Sequence, residues 1–196
     1  MKYTIFSIDD RRKHYTDKIK PEGWTRVKTQ CVDAINTRVV SPYPVRFEAR
    51  RGHIGIWMTV LNALEQAPIV TFEDDALLGD DFEEAFKQRT SRLPKDFDFF
   101  SLFIPRNQDH LAPAEPKPLI PVYQTYGGVS MYYSEQGRDK IKALLKREGI
   151  THQYDDFLYH WAKQGELNGY TSHPLYPELV YISGMEDSIV QESEYL

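Results

Sequence analysis

Apolar positions alternate along the chain between short strand-like runs and helical stripes. "YTIFSI" (residues 3–8) is rich in β-branched and aromatic residues and stops at Asp9-Asp10, which predicts a first buried strand. Polar and basic residues follow, and residues 25–36 are predicted as a helix. "VVSPYPVRFEA" carries Pro42 and Pro44 and reads as an extended connection. In "IGIWMTVLNALE", Ile54, Trp57, Met58, Leu61 and Leu64 recur at helical spacing, and Pro68 ends the pattern before a short central strand, "IVTF". "GDDFEEAFKQRTSRL" predicts a further helix, with Asp80 and Glu83, or Asp81 and Glu84, as a capping pair.

"FDFFSLFI" (97–104) reads as another buried strand, and the Pro-rich "PRNQDHLAPAEPKPLIP" after it as a candidate lid or acceptor loop. "VYQTYGGVSMYYS" reads as strand, Gly-Gly, strand. Ser134 then caps a helix through Arg147, another helix covers 155–164, and "GYTSHPLYPELVYIS" is extended. No internal repeat or low-complexity segment interrupts the pattern. Strands alternating with helices predict an α/β sandwich with a mostly parallel central sheet, a single domain over residues 1–196.

Composition narrows this picture. Hydrophobic residues at 41% and charged residues at 27% are those of a globular chain. No apolar run approaches the roughly 20 residues that span a bilayer, so no transmembrane segment is expected. "MKYTIFSIDDRRKH" lacks the pattern of a signal peptide, and Cys31 stands alone, so no internal disulfide can form and a cytoplasmic setting is expected. Net charge is −5 but uneven: residues 1–51 hold 12 Lys+Arg against 6 Asp+Glu, and residues 52–196 hold 12 against 23. The basic quarter suits an anionic ligand near the first strand; solvated helix faces explain it equally well.

"PIVTFEDDALL" then poses the chemical question. Glu73, Asp74 and Asp75 follow directly on a buried strand, where three adjacent carboxylates repel one another and lose hydration. The carboxyl edge of an open α/β sheet is where ligands bind. In extended geometry Glu73 and Asp75 point to one side and Asp74 to the other. Two carboxylates on one side suit a hard divalent cation that keeps sites for phosphate oxygens. The bland alternative is a turn whose acids cap a short helix at "ALL".

"RRGHIGIWMTVLNALEQAPIVTFEDDALLGDDF" (50–82) resembles the central block of glycosyltransferase family 25, the lipooligosaccharide-biosynthesis-type glycosyltransferases. Gly52, Ile54 and Gly55 match its Gly-x-Ile-Gly helix opening, and Glu73, Asp74 and Asp75 its strand-terminal Glu-Asp-Asp. "IFSIDDRRKHY" is similar to the family's opening strand, with Ser7-Ile8 where Asn-Leu is usual. "YGGVSMYYSEQGRDKIKALL" and "QYDDFLYHW" are similar to later segments. Thr59 and Val60 stand where the family commonly has Ser-His.

The resemblance implies a GT-A type fold, a Rossmann-like sandwich whose Asp-x-Asp-like motif holds Mn2+ or Mg2+ on the diphosphate of a nucleotide-sugar donor. It implies an inverting, metal-dependent glycosyltransferase. On that reading Asp75 is the direct metal ligand, Glu73 binds metal or the donor ribose, and Asp74 supports them. His173 is the candidate further ligand and otherwise a loop residue. Asp155 and Asp156 are either helix-terminal acids or the source of the base that accepts the acceptor's proton, with Asp156 favoured. Ser7, Ile8, Arg11 and Arg12 lie where the donor's diphosphate or base would sit, and paired Arg forks suit phosphate. Gly127 and Gly128 would let backbone approach a sugar, or form a β-bulge. The acceptor could be a glycan, a lipid-linked saccharide, a protein side chain or a modified nucleobase. Two other classes compete: a metal-dependent phosphoesterase or nuclease, and a transferase-like module that only binds.

Overall fold

The computed structural model describes residues 1–7, 16–34 and 38–182. In these the chain is α/β, built on a seven-stranded mixed sheet in the order β2-β1-β3-β7-β5-β8-β6. The strands are β1 (Lys2–Phe6), β2 (Thr25–Arg26), β3 (Ile69–Glu73), β5 (Phe99–Ser101), β6 (Ile120–Pro121), β7 (Ser130–Tyr133) and β8 (Gly169–Thr171). β1 runs parallel to β2 and β3, and β5 parallel to β8. β7 runs antiparallel between β3 and β5, and β6 antiparallel on the outer edge. Five of the seven therefore share one direction, so the carboxyl ends of β1, β3, β5 and β8 meet at one edge. β7, being reversed, brings its amino end there too. A separate ribbon pairs β4 (Ala76–Leu78) with β9 (Val180–Ile182).

Among the described residues, four helices cover the sheet: α1 (Arg51–Leu64), α2 (Phe82–Thr90), α3 (Glu135–Glu148) and α4 (Tyr154–Lys163). The side-chain alternation of a strand divides the core in two. Ile69 of β3, Met131 and Tyr133 of β7 and Phe99 of β5 pack under α1, α3 and α4, against Trp57, Leu64, Leu145 and Phe157. Val70, Phe72, Tyr132 and Phe100 face Phe82 and Phe86 of α2. Trp57 and Phe157 are fully buried, meet edge to face at 5.1 Å, and each contributes roughly 2–3 kcal/mol by burial. The same alternation carries Glu73 onto the face of Ile69 and Thr71, beneath α4.

Several predicted elements stand elsewhere. The helix expected over 25–36 is absent from its described part, 25–34: Thr25 and Arg26 form β2, and residues 27–33 run without regular structure. The β-branched Thr25, Val27 and Thr29 favour extended backbone. The polar side of α1 then holds that backbone: Thr59 Oγ1 accepts from Val32 N at 2.9 Å, and Asn62 Nδ2 donates to Gln30 O at 2.8 Å. Gly55 permits the approach, since a Cβ there would lie 2.7 Å from Val32 O. Asp81 is the residue before α2, with φ 55°, and makes no side-chain capping bond, so the predicted capping pair is not formed. Glu83 instead accepts from Glu22 N at 2.5 Å. "ALL" is strand β4 rather than a short helix. Residues 122–126, expected as a strand before Gly127-Gly128, carry none: β6 ends at Pro121 and pairs with β8 at the far edge, while β7 lies between β3 and β5.

The Ser134 prediction holds: its Oγ accepts from Gly137 N at 2.9 Å and donates to Phe97 O at 2.7 Å. No helix among the described residues is long and apolar enough to cross a membrane.

Candidate functional site

β3 ends at Glu73, and Asp74-Asp75 turn the chain into β4. All three acids are half-buried at the carboxyl edge, and Asp75 Oδ1 is shielded from solvent. The chain turns at once, so the acids do not simply alternate about an extended strand. The Glu73 carboxyl is pushed up to about 8, first by burial, then by the nearby charges of Asp75 and Asp155, with Asp74 adding a smaller push. Four acids, three from the end of β3 and one from α4, thus share one electrostatic neighbourhood.

The first turn of α4 completes it. Tyr154 donates to Glu73 Oε1 at 3.0 Å and also contacts the Gly128 carbonyl. A phenol has one hydrogen for these two oxygens. When that hydrogen serves Gly128, the Glu73–Tyr154 contact requires a proton on Glu73, in keeping with its raised pKa. Asp155 Oδ2 accepts from Gly127 N at 2.8 Å and its Oδ1 from Asp156 N at 3.0 Å. Asp155 is therefore engaged with backbone on both oxygens. Asp156 is half-buried, and burial, then the Asp155 charge, raises it to about 6. A carboxyl poised there is a better proton acceptor near neutrality than an ordinary Asp.

Gly127 and Gly128 are both close-packed on the side that a Cβ would occupy. Gly127 has φ +115°, and a Cβ on it would meet the Pro105 ring at 2.7 Å. The space a Cβ of Gly128 would take is filled by the Tyr154 hydroxyl, 1.9 Å away. The fully buried Tyr159 donates to Gly127 O at 3.0 Å and lies 3.0 Å from Ser101 Oγ.

His53, in the first turn of α1, belongs to this neighbourhood. Burial and Arg50 lower its pKa, while the Asp155 charge opposes them. Its Nδ1 accepts from Arg50 N at 3.2 Å, closing the helix start. Cys31 borders the other side: its half-buried thiol is raised mainly by burial, with Asp74 adding to the shift. Ser7 is half-buried at the end of β1 and its backbone hydrogen-bonds the Cys31 thiol. Ile8, Arg11 and Arg12 lie outside the described residues.

His173 stands apart from its predicted role. It is buried, with Nε2 against Pro113 O at 2.9 Å and Nδ1 accepting from Leu175 N at 3.2 Å. Both ring nitrogens hold chain in place, and ligation would cost one of those bonds. The Pro-rich loop it anchors contains a 3-10 turn at Arg106–Leu111, fastened also by Gln108 Oε1 to Thr125 N at 2.8 Å and by Arg106 to Glu178 at 3.1 Å. Next to it lies a cavity of about 20 Å³ between Leu102, Asp109, Ser172 and Tyr176, the size of a water rather than a sugar.

Among the described residues, no three His, Cys, Asp or Glu side chains are placed to hold a metal ion by themselves, so Glu73, Asp75 and His173 do not form such a set. The chemistry of the acids nevertheless fits Mg2+ or Mn2+. The donors are hard oxygens, their mutual repulsion would be relieved by a cation, and such ions bind through one or two carboxylates with phosphates and water completing the shell.

The sequence pointed to Glu73–Asp75 and Asp155-Asp156 but not to Tyr154, Tyr159 or Arg50. A tyrosine just before two helix-opening acids is the signal Tyr154 offered, and only the fold shows where its hydroxyl goes. Compared with known proteins, no protein-family model matches this chain and no curated protein matches it.

Proposed function

We propose that the chain is a metal-dependent glycosyltransferase that moves a sugar from a nucleotide-sugar donor to a hydroxyl acceptor with inversion. The observation that carries this reading is the gathering of Glu73, Asp75 and Asp155 at the carboxyl edge of the sheet, with the Glu73 carboxyl held up to about 8 by burial and by its neighbours. The resemblance of residues 50–82 to glycosyltransferase family 25 and the α/β architecture support it, and on this reading the sandwich is of GT-A type.

Asp75 and Glu73 are the residues that would hold Mn2+ or Mg2+. Bound there, the ion supplies positive charge to the diphosphate leaving group. The chain's own residues do the rest. The acceptor oxygen attacks the anomeric carbon as its bond to the diphosphate breaks, and Asp156 takes the hydroxyl proton. Asp155 holds the Gly127 amide. The acceptor is a glycan, a lipid-linked saccharide, a protein hydroxyl or a modified nucleobase, and the setting is cytoplasmic.

Thermal unfolding with a panel of nucleotide sugars and nucleoside diphosphates, with and without Mn2+, tests the proposal. Stabilisation by the nucleotide only when Mn2+ is present, lost in Asp75→Ala with the fold retained, is the expected result. Ligand stabilisation grows as RT ln(1 + [L]/Kd), about 2.7 kcal/mol at 100 Kd, which is readily seen. No stabilisation by any pair would overturn it in favour of a module that binds something else. Metal-dependent cleavage of a phosphodiester without sugar transfer would favour the phosphoesterase.

A further inference from the structure

Tyr154 is one residue away from the acids of α4 and one bond away from those of β3. Its hydroxyl reaches Glu73 Oε1 at 3.0 Å and touches the Gly128 carbonyl. The next residue, Asp155, takes the Gly127 amide at 2.8 Å. The same helical turn therefore grips both sides of the Gly127-Gly128 segment, one by its amide and the next by its carbonyl. It also ties that segment to the end of β3. Gly128 is where this requires glycine, because a Cβ would overlap the Tyr154 oxygen. The Tyr154 ring is held from behind by Trp57, 6.4 Å away at 80°, and Trp57 is fixed in turn by its Nε1 donating to His152 O at 2.9 Å. A buried tyrosine with a fixed ring has little freedom to place its hydroxyl elsewhere.

We propose that Tyr154 is a positioning residue for the acidic edge: its hydroxyl sets the orientation of the Glu73 carboxylate and ties it to the Gly127-Gly128 segment that Asp155 holds from the same helical turn. The inference rests on the proposed function, and it adds that the cation site is braced from α4 through the Tyr154 hydroxyl. A partner that hydrogen-bonds a metal-binding carboxylate orients it, and loss of such a partner typically weakens metal affinity by about 10- to 100-fold. Tyr154→Phe removes the hydroxyl and keeps the ring that Trp57 packs on.

The test titrates MnCl2 into wild-type chain and Tyr154→Phe, reading free Mn2+ by electron paramagnetic resonance, first alone and then with UDP, GDP or CDP present. Thermal unfolding in EDTA is run in parallel. The expected result is Mn2+ affinity about 10-fold or more weaker in the variant, with EDTA melting changed little. A merely structural tyrosine would change the melting and leave the affinity of the folded fraction intact. Equal affinity in the two proteins would overturn this inference alone, whereas no Mn2+ binding by the wild type would overturn the proposed function with it. Should the variant fail to fold, hydrogen exchange on the wild type decides. Slower exchange at Gly127 and Gly128 on adding Mn2+ is expected, and unchanged exchange there contradicts the coupling.

Discussion

Replacing Glu73 by Gln removes an ionisation that the folded chain opposes while keeping the shape of the side chain. With its pKa moved from 4.5 to about 8 by burial and by Asp75 and Asp155, Glu73 is easier to ionise unfolded than folded. The raised folded value fixes the sign. Any stability linked to this group is complete below the unfolded pKa, falls as pH rises through the interval, and levels off above the folded value. At 1.36 kcal/mol per pH unit, metal-free wild type should lose up to about 4 kcal/mol relative to Glu73→Gln between about pH 5 and pH 9. Urea unfolding of both proteins in EDTA at a series of pH values measures the difference directly, because unrelated titrations cancel. Saturating Mn2+ should then return much of the loss to the wild type at the alkaline end and little to the variant. Parallel pH curves for the two proteins would refute the reasoning, since Glu73 would then be no harder to ionise folded than unfolded.

Further outcomes follow from other positions. Asp156, raised to about 6 by burial and Asp155, must be ionised to accept a proton, so turnover should rise with pH through about 6 and level above it. Asp156→Asn should lower kcat by about 100-fold or more with donor affinity retained, checked by steady-state kinetics across pH. Gly137→Ala should destabilise by roughly 1–3 kcal/mol in urea unfolding, because its Cβ would fall 1.9 Å from Asp98 O where α3 enters against β5. Arg89 is buried, bonds Ser172 through Nε at 3.2 Å, lies over the Tyr176 ring, and has a buried Nη2 with no hydrogen-bond partner. Arg89→Met should therefore be neutral or stabilising by about 1 kcal/mol, the usual outcome when a poorly compensated buried charge becomes apolar.

Much of the frame was legible because burial leaves a period in the sequence. Ile54, Trp57, Leu61 and Leu64 mark the buried side of α1, and the unbroken "IVTF" marks a strand covered on both faces. The segment after β2 was not legible. Its backbone is held by Thr59 and Asn62, partners some 30 residues on, and no local pattern reports such a distant hydrogen bond. The position of β7 was hidden for the same reason, since pairing between β3 and β5 is decided by topology rather than by "SMYY". In the site, an acidic triplet after a buried run was a visible anomaly, whereas Tyr154 reads as one more core aromatic. His173 could be placed by order along the chain, but its two ring contacts, with Pro113 and Leu175, depend on how the Pro-rich loop folds back.

An anomalous-difference map from crystals soaked in Mn2+ with a nucleoside diphosphate addresses the central claim most directly. The account predicts one strong peak within bonding distance of Asp75 and Glu73 carboxylate oxygens, with diphosphate oxygens on its open side. A nucleotide bound elsewhere, or density for it with no metal peak at this edge, would contradict it.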